Sequence, residues 1–273
     1  MVPLTISELE STAREIRKQV IEMIYRAGSG HPGGSLSSVE ILTALFFGNV
    51  LKFDPHDPKG EKRDRFILSA GHVCPSLYAI FAKLGVFNES LLESLREFGS
   101  SLQGHPSSLL ADFIESSSGS LGQGLSLGAG KALAMKLKGE KEKVVVLSSD
   151  GEQDEGSHWE AVMFASFHRL DNLNLIIDQN GMQIGGKTSE VLNTEPLADK
   201  YRSFGWGVYQ THGHDFRELL GNFCNFNEKR GKPKVVICRT VRGKGVSFME
   251  NSERYHACTL SEEEYNKAME ELE

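Results

Sequence analysis

The chain has 273 residues, a formal net charge of −7, 39% apolar and 25% charged residues, which suits a globular α/β chain long enough to bury its own apolar surface. The acidic balance argues against a general nucleic-acid surface, and no apolar run approaches the ~18–20 residues of a membrane span. Cys74, Cys224, Cys238 and Cys258 show no CxxC spacing, and the sequence starts without a basic, apolar leader, so a cytoplasmic protein without zinc ribbon or redox dithiol is expected.

Thr5 and Glu8 form a capping box, and Ile6, Leu9, Ala13, Ile16, Val20 and Ile24 recur at helical spacing until Gly28 stops the helix. A Gly-rich loop, Gly28-Ser29-Gly30-His31-Pro32-Gly33-Gly34, leads into a second helix over 39–47. Residues 54–64, with Pro55 and Pro58, read as a polar surface loop. A short strand at 66–69 runs into Ala70-Gly71-His72, and a helix follows over 75–84. Residues 100–118 are loop-like and carry Gln103-Gly104-His105-Pro106; small and apolar residues then predict a tightly packed helix over 121–138.

The apolar runs 144–147, 173–177 and 235–238 suit inner strands of a parallel sheet, and 206–210 suits a fourth. Helices are predicted between them at 155–170, 195–204 and 216–229, with an amphipathic helix at 261–273. This alternation implies a three-layer α/β domain with a mainly parallel central sheet, spanning 1–273 without linker or repeat.

The strongest chemical signal begins where the 144–147 strand ends. Ser149-Asp150-Gly151-Glu152 is followed by a helix and a strand that ends in Asp178-Gln179-Asn180-Gly181-Met182. One β-α-β unit therefore separates Asp150 from Asn180, and both emerge at carboxyl ends of parallel strands, where open α/β sheets bind ligands. An Asp carboxylate, an Asn amide and the Met182 carbonyl make an oxygen set suited to Mg²⁺ shared with a diphosphate. Gly151 allows close backbone approach, and the next helix N-terminus favours an anion. Taken singly, Asp150 could cap a helix and Asn180-Gly181 could form a turn. The run Gly124–Gly130 follows no predicted strand and is not a dinucleotide fingerprint.

Asp150 and Asn180 with this spacing resemble the thiamine diphosphate fingerprint, with Ser149 where glycine is usual. Four histidine segments narrow the resemblance to transketolase: Gly30-His31-Pro32-Gly33, Ser69-Ala70-Gly71-His72, Gln103-Gly104-His105-Pro106 and Arg254-Tyr255-His256. Ser118-Gly119-Ser120-Leu121-Gly122 is similar to that family's loop against the cofactor. The resemblance implies the thiamine diphosphate-binding fold, thiamine diphosphate and Mg²⁺ as cofactors, and transfer of a two-carbon ketol unit between sugar phosphates. Asp150, Gly151, Glu152, Asn180, Gly119, Ser120 and Leu121 would lie at the cofactor, with Asp150, Asn180 and Met182 on the metal. His72 would bind near the diphosphate, His31 and His256 would move protons on the ketose, and His105 would hold the ketol hydroxyl; His256 would also reach the diphosphate. Glu155 and Glu160 resemble carboxylates at a subunit interface, or else form a solvated helix face. Loop-borne imidazoles suit proton transfer near neutral pH. His56, His158 and His168 read as surface or packing residues, and His212 and His214 as shapers of a turn.

In this family a glutamate on a second, pyrimidine-binding domain activates the cofactor, and the sequence ends before that domain. A separate C-terminal chain is therefore expected to bring it, in a heterotetramer. Two other readings stand: a decarboxylating thiamine-dependent synthase or 2-oxoacid dehydrogenase component, and a non-catalytic cofactor-binding subunit.

Overall fold

The computed structural model describes residues 3–57, 60–109, 111–228 and 230–273. Pro58, read as part of a polar loop, and Lys229, read as a helix end, lie outside them. Helix α1 (Ile6–Ala27) starts at the Thr5–Glu8 capping box and ends at Gly28, whose φ of 63° closes the last turn. Helices α2 (Pro32–Ser37) and α3 (Val39–Phe47) follow. The sequence leaves α2 as loop because glycine is a poor helix former. It folds because all six of its residues are buried. A Cβ on Gly33 would sit 2.8 Å from the Tyr255 carbonyl oxygen, so glycine there serves close packing rather than a turn.

Strand β1 (Arg65–Leu68) precedes α4 (Cys74–Lys83), and α5 (Gln123–Leu137) precedes β2 (Val144–Ser149). After a 3-10 turn at Asp150–Asp154 come α6 (Gly156–Phe167) and β3 (Leu173–Gln179). A small antiparallel hairpin, β4 (Met182–Gln183) and β5 (Gly186–Lys187), is joined to the one-turn α7 (Thr188–Val191) and α8 (Leu197–Ser203). The chain closes with β6 (Gly207–His212), α9 (Phe216–Phe223), β7 (Lys234–Arg239) and α10 (Glu262–Glu271).

The main sheet runs β1-β2-β3-β7-β6, all parallel. Its strands alternate between two cores, as a period of two requires. Val144, Val146, Leu173, Leu175 and Ile177 pack with Leu125, Ala129, Ala161 and Val162 of α5 and α6. Val145, Leu147, Ile176 and Val236 face the opposite way, onto Ile16, Val20, Leu42 and Leu219 of α1, α3 and α9. The sheet is buried on both faces, which explains its continuous apolar strands. Consecutive neighbours run β1, β2, β3; the chain then passes to the outer edge and returns through β7. The order therefore reverses between β3 and β7, the kind of switch point where a crevice forms. No helix among the described residues is long and apolar enough to cross a membrane.

Candidate functional site

The register places Ser149 opposite Asp178, and Asp178 opposite Cys238, so the segments after β2, β3 and β7 leave the sheet at one edge. Beside them opens a cavity of about 400 Å³. Its lining includes His31, His72, His105 and His256, with Gly119, Leu121, Gly151, Asn180, Met182 and Arg242. The four histidines come from parts of the chain far apart: the loop before α2, the loop after β1, the 100–118 segment and the turn before α10. Their rings nonetheless meet. Centroids lie 5.4 Å apart for His31 and His72, 5.9 Å for His31 and His105, and 5.6 Å both for His31 and His256 and for His72 and His256.

Burial, followed by the Arg96 guanidinium, holds the His31 pKa down at about 4. Burial, followed by His31, holds His72 down at about 3. His105 is more exposed, and burial and Arg96 lower it too. Near neutral pH these three rings are uncharged, each with one N–H and one lone pair.

Asp150, between the lining residues Ser149 and Gly151 in the chain, is itself buried, 4% exposed. One of its oxygens accepts the Gly181 N–H at 2.6 Å, tying the end of β2 to the end of β3. Asn180 Oδ1 accepts the Met182 N–H at 3.1 Å in the next turn. The carboxylate is thus an inter-strand tie, and helix capping falls to Ser149 and Glu152. Burial, with Asp178 next to it, pushes the Asp150 pKa up to about 8. A buried carboxyl held so high is short of positive charge. Arg242 also lines the cavity, 2% exposed, and its Nε has no hydrogen-bond partner among the described residues.

These residues fit a metal–diphosphate group: an unneutralised carboxylate for the cation, a buried guanidinium for the anion, and Gly151 free of atoms within 3.4 Å of where a Cβ would stand. Among the described residues no group of three or more His, Cys, Asp or Glu is arranged for a metal. The expected set Asp150, Asn180 and Met182 contains only one such residue.

Other expected residues lie outside the histidine cluster. Ser120 is exposed between Gly119 and Leu121. Glu152 is fully buried behind the lining, where it accepts hydrogen bonds from Ser69 Oγ, from the Gly122 N–H at 3.0 Å and from the Ser149 N–H at 3.1 Å. Its carboxylate ties the loops at Ser69 and Gly122 to the end of β2 and is not part of the cavity lining. Glu155 and Glu160 are exposed on α6 and just before it. His214, in the turn after β6, donates from Nδ1 to Glu40 at 2.9 Å and accepts the Val241 N–H on Nε2 at 2.8 Å. His158 is buried against the Tyr201 hydroxyl, 2.6 Å away.

Sequence reasoning missed three residues. Asp178 is buried under the site, where Ser37 Oγ donates to it at 2.5 Å and Thr240 Oγ1 donates to its other oxygen. A polar residue ending an apolar strand was the available signal. Arg242 follows β7 at the ligand-binding edge, a position that could have marked it. Arg96 carries no local signal.

Comparison with known proteins points to one family. The family model "Transketolase, thiamine diphosphate binding domain" matches residues 9–273. The chain is 39% identical over 269 residues to an apulose-4-phosphate transketolase subunit of Phocaeicola vulgatus, covering 98% of this chain and 95% of that one. It is 42% identical over 266 residues to the 6-deoxy-6-sulfo-D-fructose transketolase subunit SqwG of a Clostridium species, covering 97% and 96%. The crystal structure of transketolase from Campylobacter jejuni superposes with a TM-score of 0.91 at 32% identity, covering 98% of this chain and 43% of that chain. The chain thus spans nearly the whole of the subunit-type relatives and less than half of that solved transketolase. The chain belongs to the transketolase family, in the part that is its thiamine diphosphate-binding domain.

Proposed function

We propose that this chain is one subunit of a two-chain transketolase that moves a two-carbon ketol unit from a ketose phosphate to an aldose phosphate. The observation that carries the reading is the meeting of His31, His72, His105 and His256 in one cavity with Asn180 and Arg242, while the buried Asp150 lies in the chain between the lining residues Ser149 and Gly151. When bound, thiamine diphosphate supplies the carbon nucleophile for the ketol unit. Asp150, Asn180 and the Met182 carbonyl would hold Mg²⁺; Gly119, Leu121 and Gly151 would border the cofactor, with Ser120 beside them and Glu152 bracing the loop. Arg242, His72 and His256 would face the diphosphate end. His31, His105 and His256 would hydrogen-bond the sugar oxygens and move protons among them, which neutral imidazoles do well.

The partner would be a C-terminal chain with the pyrimidine-binding domain, in a heterotetramer. Exposed apolar surface supports a covering chain: Ile184 (74% exposed) and Val191 (47%) line the cavity, and Leu127, Met163 and Phe167 stand open on α5 and α6. Glu155 and Glu160, beside those helix residues, would join that interface. Free Cys74, Cys224, Cys238 and Cys258 suit a reducing, cytoplasmic compartment.

The test is ketol transfer with thiamine diphosphate and Mg²⁺, using this chain alone and with the pyrimidine-domain chain of the same organism. Donors are xylulose 5-phosphate, together with apulose 4-phosphate and 6-deoxy-6-sulfofructose, the sugars in the names of the two relatives. Transfer only in the mixture is expected. Full activity of the single chain, or CO₂ release from pyruvate without ketol transfer, would overturn the proposal.

A further inference from the structure

Two of the four cavity histidines have an arginine at Nδ1. Arg96 Nη2 lies 3.4 Å from His31 Nδ1, and Arg242 Nη2 meets His256 Nδ1. A guanidinium carries donors only and keeps its proton at any ordinary pH. Each of these Nδ1 atoms must therefore be the acceptor. In a neutral imidazole the single proton then resides on Nε2.

We infer that Arg96 and Arg242 are positioning residues that lock His31 and His256 in the Nε2–H tautomer, so that both rings offer the cavity a hydrogen-bond donor. The consequence for sugar chemistry rests on the transketolase reading. The tautomer itself is a property of this chain.

Arg96 is built for the task. Its backbone takes φ 64°, an unusual conformation for a residue with a side chain. Its N–H donates to the Leu102 carbonyl at 2.8 Å. The guanidinium then crosses Gly104, where a Cβ would come within 2.6 Å of Cζ, and Nη1 reaches Ser29 Oγ at 3.4 Å. Arg242 is buried, and its Nη1 donates to the Gln183 carbonyl at 3.3 Å. Each guanidinium is thus held by a second contact as well as by its histidine.

The surroundings keep His31 uncharged. It is packed against His72, His105 and His256, with the cations Arg96 and Arg242 near it, and burial leads in holding its pKa at about 4. His72 and His105 have no arginine hydrogen bond among the described residues. The cluster is therefore divided. His31 and His256 present N–H groups suited to carbonyl and hydroxyl oxygens, while His72 and His105 keep a free choice of tautomer. His214 is the internal contrast: its Nδ1–H donates to Glu40 and its Nε2 accepts from Val241, so it holds the opposite tautomer.

The experiment is a long-range ¹H–¹⁵N correlation spectrum of the full chain with ¹⁵N-labelled histidine, without cofactor or partner. His31→Asn and His256→Asn identify the two signals by their loss. Near pH 7 both rings should show a protonated Nε2 and an unprotonated Nδ1, and His214 the reverse. Arg96→Met should turn His31 into a tautomer mixture and raise its pKa from about 4 by about one unit. Arg96→Lys should restore part of the original pattern. Arg242→Met should likewise turn His256 into a tautomer mixture. An unchanged His214 signal shows that each variant is folded. A proton on His31 Nδ1 in the parent chain overturns the inference outright, and so does an unaltered His31 pattern in folded Arg96→Met. Because no cofactor, substrate or partner is present, failure of ketol transfer leaves this result standing, and the reverse also holds.

Discussion

Asp150 is a carboxyl group that the folded, cofactor-free chain resists ionising. It is 4% exposed and accepts the Gly181 N–H at 2.6 Å. Burial first, then Asp178, push its pKa up to about 8; an unfolded aspartate titrates near ~3.9. Between those values the folded chain binds more protons than the unfolded one, so this group's contribution to stability is present at low pH and lost as pH rises through about 4 to 8. At ~1.4 kcal/mol per pH unit, the loss at pH 7 is about 4 kcal/mol. Asp150→Asn removes that titration and keeps an oxygen for Gly181, but adds an amide group whose missing partner costs about 1–3 kcal/mol. The net expectation is a gain of about 1–3 kcal/mol at pH 7, a rise in Tm of roughly 2–5 °C for a chain of this size. Thermal melts by circular dichroism with a chelator present, at pH 5, 7 and 8, would measure it. The two proteins should melt together at pH 5 and separate as pH rises, and Mg²⁺ with thiamine diphosphate should stabilise only the parent. A gap that does not change with pH, or a variant less stable than the parent at pH 8, would refute the reasoning.

Three further outcomes can be checked. His105→Ala in the two-chain enzyme should lower kcat by about 10²-fold or more with cofactor affinity little changed, because the ring lies on the exposed side of the cavity; separate kcat and cofactor titrations decide this. Glu152→Ala strips the acceptor from Ser69, Gly122 and Ser149 and should destabilise the chain by about 3–5 kcal/mol, read from urea unfolding. His72 and His31 have folded pKa values of about 3 and 4, below the ~6.5 of an unfolded histidine. Their contribution to stability is present above that value and lost as pH falls towards 4, and His72→Phe should flatten the acid limb of the stability profile.

The strands were legible because a sheet buried on both faces writes itself as unbroken apolar runs. The apolar signal of β3 ends at Ile177, yet the strand continues through Asp178 and Gln179. Asp178 stays in it because Ser37 and Thr240 satisfy its carboxylate, a fact of tertiary structure that no local pattern carries. Helix α2 was hidden for the same reason. Its glycines disfavour a helix, and only burial under Tyr255 and Arg242 makes one. The hairpin β4–β5 has two residues per strand and leaves no period to detect. The histidines were visible through the glycines and prolines around them. The arginines that hold them were not, because an arginine between Leu95 and Glu97 looks like any surface arginine.

The buried charged groups around the site explain why it does not close on itself. Asp150, Asp178 and Glu152 are buried acids whose pKa values burial raises, and Arg242 is a buried cation whose pKa burial lowers. Each would be more stable in water, and each is held at the carboxyl edge by a sheet stable enough to bear it. Around them the cavity wall is apolar and open, at Ile184 and Val191. On the reading proposed above, a metal–diphosphate group would answer the first deficit and a covering chain the second. Both would fall on one 400 Å³ cavity, so whichever bound first would order and desolvate the surface the other needs. Linkage then requires the effect to be mutual: cofactor should tighten association of the two chains by the same factor by which the partner tightens cofactor binding.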